Sequence, residues 1–479
     1  MSLHQKGFIV KRMLRGKDKQ IILMSIGCLA AFSTCASVEV QKHLQAGVNL
    51  VAEDNLFWKL SETFAPNVDY STNTTYLEGY VKPGASFEYL TESAKWYGKG
   101  SAVLSYTSGI DPYDEGNTGR LTLEEAYAGY TASIDDNLTL DISVGAREFK
   151  LGSGMLIANG GVSGFERGAL KLGPRKAWER SAIVRVNSPS IAATAYYIDP
   201  NELDSNNTNT QIYGVDVNLP LTKSDGILGL TYGHVLESGA PYPKAAPNGI
   251  GPPVILENAR DNLSFVNHYG KATLYQDEDI KYVAEWDGAY QWNDDLDLTS
   301  WGGRIKLGVT LLKKKWVPTF TYSWQAFSGD DPLTEGVERF DPLYYEGSPS
   351  AWSTGSKSSM VFINSNVEAH HFALNVIPSP RHILTFRAAH IRVNELGSPV
   401  QFGQAARVDF SDGLSTVISG VTEAHLADDI FLEYTYLKSE SVFITLGYSV
   451  SFPGDGINSA LGQRAPNWPG GFANVVVYL

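Results

Sequence analysis

Between Asn137 and Arg147 the chain reads NLTLDISVGAR, and apolar and polar residues alternate without a break. Leu138, Leu140, Ile142, Val144 and Ala146 share one parity, while Asn137, Thr139, Asp141, Ser143, Gly145 and Arg147 share the other. Strand side chains point alternately to opposite faces, so this segment is apolar on one side and polar, even charged, on the other. A chain built throughout from such segments has two sheet surfaces of opposite character, and its fold must find a solvent for each.

The alternation recurs along the chain, for example in SAVLSY (101–106), SAIVRV (181–186), GILGLTYGHV (226–235), LTSWGGRIKLGVTL (298–311), HILTFRAAHIRV (382–393) and SVFITLGYSV (441–450). About eighteen such segments can be counted, and helical periodicity is scarce. Their connections alternate in length. Tight links such as SIDDN (133–137), NSPS (187–190), TKSD (222–225), PSPR (378–381) and KSE (438–440) are interleaved with long polar ones at 107–120, 148–180, 199–210, 237–262, 328–359, 393–424 and 451–469. A transmembrane barrel has this rhythm, with short periplasmic turns and long extracellular loops. Lipid offers no hydrogen bonds to a sheet edge, so such a sheet must close on itself. The expected fold is all-β: one closed antiparallel barrel of about eighteen strands occupying residues 37–479. Tyr196, Tyr197, Trp316, Trp324, Tyr434 and Tyr436 lie near strand ends, where interfacial girdles are expected.

Residues 1–36 read as a cleavable secretory leader: a basic start, the apolar run IILMSIGCLAAFSTCA (21–36), then small residues. Both cysteines, Cys28 and Cys35, lie inside it, which leaves no disulfide framework or thiolate metal site in the mature chain. The formal net charge of −14 argues against a nucleic-acid partner. These features point to the outer membrane of a Gram-negative cell, with membrane lipid and lipopolysaccharide as neighbours.

Parity assigns the two faces. A cation on the lipid face at mid-bilayer would cost roughly 2–4 kcal/mol, so the charged parity must look inward. Arg147, Arg185, Arg304, Lys306 and Arg387 are thereby predicted to line a pore, together with Asp141, Asp216 and Glu433, which could cancel part of their field. The long segment after Arg147 carries Lys150, Arg167, Lys171, Arg175, Lys176 and Arg180 among many glycines. It could fold inward as a constriction or bind lipopolysaccharide phosphates outside. Several weak cationic sites in series would pass anionic sugars, whereas one tight site would stop them.

VGAREFKLGSG (144–154) resembles the Gly-Arg-Gln strand end of the alginate-export family of outer-membrane porins, with Gly145-Ala146-Arg147 and Glu148 as departures. WERSAIVRV (178–186) resembles that family's next strand, with Arg180 and Arg185 at its two arginines. LTLEEAYAGY (121–130), PTFTYSWQAFSGDDP (318–332), FDPLYY (340–345) and FPGDG (452–456) are similar to other family segments in the same order. The resemblance implies an eighteen-stranded monomeric barrel with an arginine-lined pore for an anionic polyuronate such as alginate. The link 437–441 is short where alginate secretion pores carry a long occluding loop, which leaves a diffusion porin for other solutes as the alternative.

Two other classes fit the sequence less well. An outer-membrane hydrolase needs a converging Ser, His and orienting group, yet there is no Gly-x-Ser-x-Gly elbow, and His370 and His371 fall on opposite faces. A structural or adhesive barrel would share the fold without conducting. The expectation is a channel rather than an enzyme, with no cofactor and no metal.

Overall fold

A computed structural model describes residues 38–60, 71–113, 116–250, 253–347, 351–401, 417–418 and 421–479. The leader, Cys28 and Cys35 lie outside the described residues. Among those residues eighteen long strands form one sheet, labelled here in chain order. The first nine are β1 (Val38–Glu53), β2 (Thr74–Leu90), β3 (Ala94–Ser108), β4 (Leu121–Ser133), β5 (Thr139–Ala146), β6 (Arg180–Asn187), β7 (Ala192–Asp199), β8 (Gln211–Leu221) and β9 (Gly226–Glu237). The other nine are β10 (Ser264–Gln276), β11 (Ile280–Asn293), β12 (Leu298–Leu311), β13 (Thr319–Phe327), β14 (Val367–Ser379), β15 (His382–Val393), β16 (His425–Leu437), β17 (Val442–Pro453) and β18 (Trp468–Tyr478).

Each strand pairs antiparallel with its sequence neighbours, and β1 pairs with both β2 and β18, so the sheet closes without an edge. The expected all-β barrel and its strand count are what the structure shows. Among the described residues, short turns gather at one rim and the longer links leave the other, where the link 294–297 between β11 and β12 is short.

Alternation does the sorting that parity predicted. On β5, Ile142 and Val144 point outward while Ser143 is buried inside. On β12, Trp301, Ile305 and Leu307 are exposed and Arg304 is 7% exposed within the barrel. Val48, Leu104, Val144, Leu230, Ile305, Phe372, Leu432 and Leu446, each from a different strand, all stand outward and exposed. A soluble protein does not leave an apolar belt of that extent in water, whereas a bilayer requires one. Ile305→Arg should therefore destabilise the barrel by roughly 2–4 kcal/mol in liposomes, and Thr299→Arg, near the long-loop rim of the same strand, by roughly 0–1 kcal/mol. Urea unfolding of the reconstituted barrel would check the difference, and equal costs would place Ile305 outside the acyl region.

The inner surface departs from a simple water-filled tube. Loops from the long-loop rim fold inward and build a dry cluster in which Trp58, Trp178, Trp352, Trp468, Phe57, Phe327, Phe340 and Phe362 are fully buried. Tyr196 belongs to this interior rather than to a girdle: it is 4% exposed with its ring 5.6 Å from Phe149. Tyr434 does face outward near the short-turn rim, stacked on His382 at 5.8 Å.

Candidate functional site

A cavity of about 860 Å³ runs between the inner faces of β1–β3 and β15–β18 and the inward loops. Its lining reaches from His43 and Tyr478, beside the short turns, to Glu53, Tyr113 and Met360 beneath the long loops. Lys82, Lys99, Lys171, Arg175, Lys176, Lys357 and Arg387 line it against Glu53, Glu148 and Glu433.

Two loops narrow the lumen, one at 147–179 and one whose described residues are 328–347 and 351–366, and backbone pairing joins them: Tyr344 N donates to Leu156 O at 2.9 Å and Ala158 N to Tyr344 O at 2.9 Å. Inward carboxylates of the wall hold both by accepting loop amides. Glu124 accepts from the N–H groups of Lys176 (2.8 Å) and Ala177 (3.1 Å), and Glu78 from those of Lys171 (3.1 Å) and Leu172 (2.8 Å). Asp429 accepts from the N–H groups of Ser356, Lys357 and Ser358 at 2.7–3.0 Å and from Ser358 Oγ at 2.8 Å. Such charge-assisted bonds are about twice as strong as neutral ones. Gly168 adopts φ +63°, and a Cβ there would lie 2.8 Å from Thr118 O, so the first loop can seat against β3 only with glycine at this bend.

Glu53 ties the two loops together. It ion-pairs with Lys171 of one and Lys357 of the other (2.8 Å), and its Oε2 also accepts from Trp468 Nε1 at 2.8 Å. Burial pushes the Lys357 ammonium below its ordinary pKa despite the pull of Glu53. Burial likewise lowers that of Arg175.

The structure distributes the predicted residues unevenly. The inner-wall arginines each lie over an aromatic ring: Arg147 over Tyr127 (4.6 Å), Arg185 over Phe149 (5.6 Å), Arg304 over Trp352 (3.7 Å) and Arg387 over Phe431 (5.3 Å). Arg304 is covered by the second loop, donates to Ala351 O at 2.5 Å, and does not line the cavity. Lys306 pairs with Glu285 at 2.8 Å. Asp141 accepts from Tyr97 and Thr131, and Asp216 from Thr231 and Tyr269. These two carboxylates face inward yet are held by hydroxyls of adjacent strands and lie off the cavity.

The loop cations divide as well. Arg167 and Arg175 are buried and spend their guanidinium groups within the fold: Arg167 on Asn201 O (3.0 Å) and Glu202 O (2.5 Å), Arg175 on Thr122 Oγ1 (2.7 Å), Ser105 Oγ (3.0 Å) and Arg120 O (3.1 Å). Lys150 pairs with Glu346. Arg180 stays largely exposed, 3.9 Å from Asp199. The cavity thus gathers Arg387, Glu433, Lys171, Arg175 and Lys176 from the predicted set.

Sequence reasoning missed Lys82, Lys99, Glu53 and Lys357. Lys82 bridges Glu148 (2.9 Å) and Glu124 (3.4 Å), and Lys99 meets Glu125 at 2.7 Å. Parity carried a signal for Lys82: Tyr76, Glu78, Tyr80 and Lys82 form one buried row of β2, opposite exposed Leu77 and Val81. Lys357 sits in a loop, where alternation says nothing.

No family model matches the chain, and no curated protein does. Solved structures do. The outer membrane protein OpdK of Pseudomonas aeruginosa superposes with a TM-score of 0.54 at 9% identity, over 92% of this chain and 98% of that one. OccAB1 of Acinetobacter baumannii gives 0.52 at 10% identity, over 92% and 97%. OccK2 of P. aeruginosa gives 0.52 at 10% identity, over 92% and 98%. The alginate-export resemblance finds no support in these comparisons. At such identities the likeness concerns the backbone: the chain has the closed eighteen-stranded barrel fold of outer-membrane porins.

Proposed function

We propose that this barrel is a passive outer-membrane channel for small hydrophilic solutes, with a preference for anions. The observation that carries the reading is the lining of the cavity, where seven Lys and Arg side chains face three Glu. Buried and ion-paired members of that set contribute little field, which leaves Lys176, exposed on the loop, and Arg387, stacked on Phe431, as the leading anion contacts. Moderate, multiple contacts suit conduction, because a solute must leave as readily as it enters. Fold likeness alone does not assign a function, so the charge pattern, not the superposition, supports selectivity.

A polyuronate chain is a poor fit for this lumen. Two folded loops cross it, and the dry cluster of Phe57, Trp58, Tyr113, Phe362 and Trp468 roofs the long-loop side among the described residues. Small anionic solutes, single sugar acids among them, suit the cavity better than a polymer.

The test is the reversal potential in planar bilayers under a potassium chloride gradient. Anion preference is expected, and Lys176→Glu combined with Arg387→Glu should move the reversal potential toward the cation limit. Cation preference in the unmutated protein, or indifference to both reversals, would refute the anion reading. Absence of any conductance would favour the structural-barrel alternative.

A further inference from the structure

On the outer face of the barrel, near the long-loop rim, a row of side chains runs across five strands at one height. Trp324, His370, His390, Asp428 and Phe452 are successive cross-strand partners on β13 to β17. One step toward the short turns the same faces carry Phe372, Ala388, Ile430 and Val450. The row therefore stands at the upper border of the apolar belt, outside the lumen and apart from the channel.

His425 joins this row against the rule of alternation. It lies three residues before Asp428, which on a regular strand would send it to the opposite face. The register of β15 with β16 shifts there, Ile391 pairing with Ala427 but Arg392 with His425, and Leu426 and Ala427 are both buried. Such a bulge re-aims a side chain. Here it turns His425 onto the ring of His390, stacked with centroids 4.7 Å apart.

We infer that His390, His425 and Asp428 form a site for a zinc-type divalent ion on the exterior of the barrel. His390 Nδ1 lies 2.7 Å from Asp428 Oδ1, and His425 Nε2 lies 3.1 Å from Asp428 Oδ2. Two nitrogens and a carboxylate around a tetrahedral ion at ~2.0–2.1 Å would stand about 3.3 Å apart, and the donor atoms here all lie within 4.8 Å of one another. His425 Nε2 is closed off from solvent and makes no hydrogen bond, although the carboxylate is near. An ion between them would give that nitrogen the directed bond that the nearby carboxylate does not supply.

The donor set also selects the ion. Exposed Arg392 and its cross-strand partner Glu368 offset one another beside the row, and a single carboxylate falls far short of the roughly six to eight oxygen ligands that calcium takes. The strength of the site lies in imidazole lone pairs, which suit zinc and its neighbours. Three protein ligands leave the fourth position to water.

The full chain, purified in detergent and stripped with a chelator, would be titrated with zinc chloride in a calorimeter. One saturable site per barrel is expected. Loss even of an outer-shell partner typically lowers metal affinity roughly 10–100-fold, so His390→Ala or Asp428→Asn, each removing a direct ligand, should weaken binding at least that much. Arg387→Glu, inside the lumen, should leave it unchanged. Cobalt(II) added to the unmutated protein should give the visible absorption of a four-coordinate nitrogen and oxygen site, a readout that needs no variant. No saturable zinc binding, binding intact in both ligand variants, or calcium binding as tightly as zinc would overturn the assignment. None of these outcomes bears on conductance, so the channel reading stands or falls separately.

Discussion

Glu53→Gln is expected to raise single-channel conductance several-fold and to make the open level noisy, while the barrel itself still folds. The carboxylate is 2% exposed and is the counter-charge to Lys357, itself 3% exposed, and to Lys171. Removing one partner of a buried ion pair leaves an uncompensated charge and costs about 3–5 kcal/mol. The wall strands do not have to bear that cost, because their ladder hydrogen bonds are unaffected. The cheaper response is for Lys357 to leave for water, carrying residues 351–360 away from the wall.

Geometry sharpens the comparison between two variants. Gln keeps the shape of Glu53 and can still accept from Trp468 Nε1, so its effect isolates the charge; Ala also removes that bond. Gly470, directly opposite Glu53 in the register, leaves the space into which Lys357 Nζ reaches, and a Cβ there would lie 2.6 Å from that nitrogen. Gly470→Ala should therefore reproduce part of the Gln phenotype with the carboxylate still in place. Planar-bilayer recordings of the three variants would check this. Unmutated conductance in both Glu53 variants would mean that the Asp429 anchor alone fixes the loop.

The wall of this barrel is legible in the sequence because lipid on one side and polar groups on the other impose a strict period of two. NLTLDISVGAR, SAIVRV and LTSWGGRIKLGVTL became β5, β6 and β12 with the expected faces, and the alternation of short and long links gave closure and rim. Two things lay beyond the reach of parity. Where the ladder slips, neighbours share a face: a register shift after Ser101 lets adjacent Glu124 and Glu125 both turn inward, as the shift near Arg392 brings His425 beside Asp428. Alternation also fixes the side to which a residue points but not what will come to cover it. Arg304 points inward as parity says, yet lies under Trp352, and Asp429 holds a loop backbone rather than a solute. The apolar residues of the loops, such as Trp58, Trp352 and Phe362, carry no period at all, because they pack as an irregular cluster.

Replacing residues 330–364 with a short glycine-serine turn should have the larger effect: a several-fold or greater rise in conductance and stronger anion preference, in a barrel that still assembles. Wall and filling are held here by different interactions. In the wall, β13 pairs with β14 from Thr319–Asn375 to Ala326–Glu368, entirely outside the excised segment. In the inner cluster, burying each large apolar side chain contributes roughly 1.5–3 kcal/mol and holds the loops in place without any part in closing the sheet. Excision removes Trp352 from Arg304 and Lys357 from Glu53, opening the lumen beside β12 and exposing an arginine that the loop now shields. Heat-dependent gel migration would report the folded barrel, and reversal potentials the added positive field. Should the truncated chain fail to fold, the inner cluster would have to be counted as a nucleus for the wall rather than a filling added to it, and the inward loops would then owe their place to assembly as much as to selectivity.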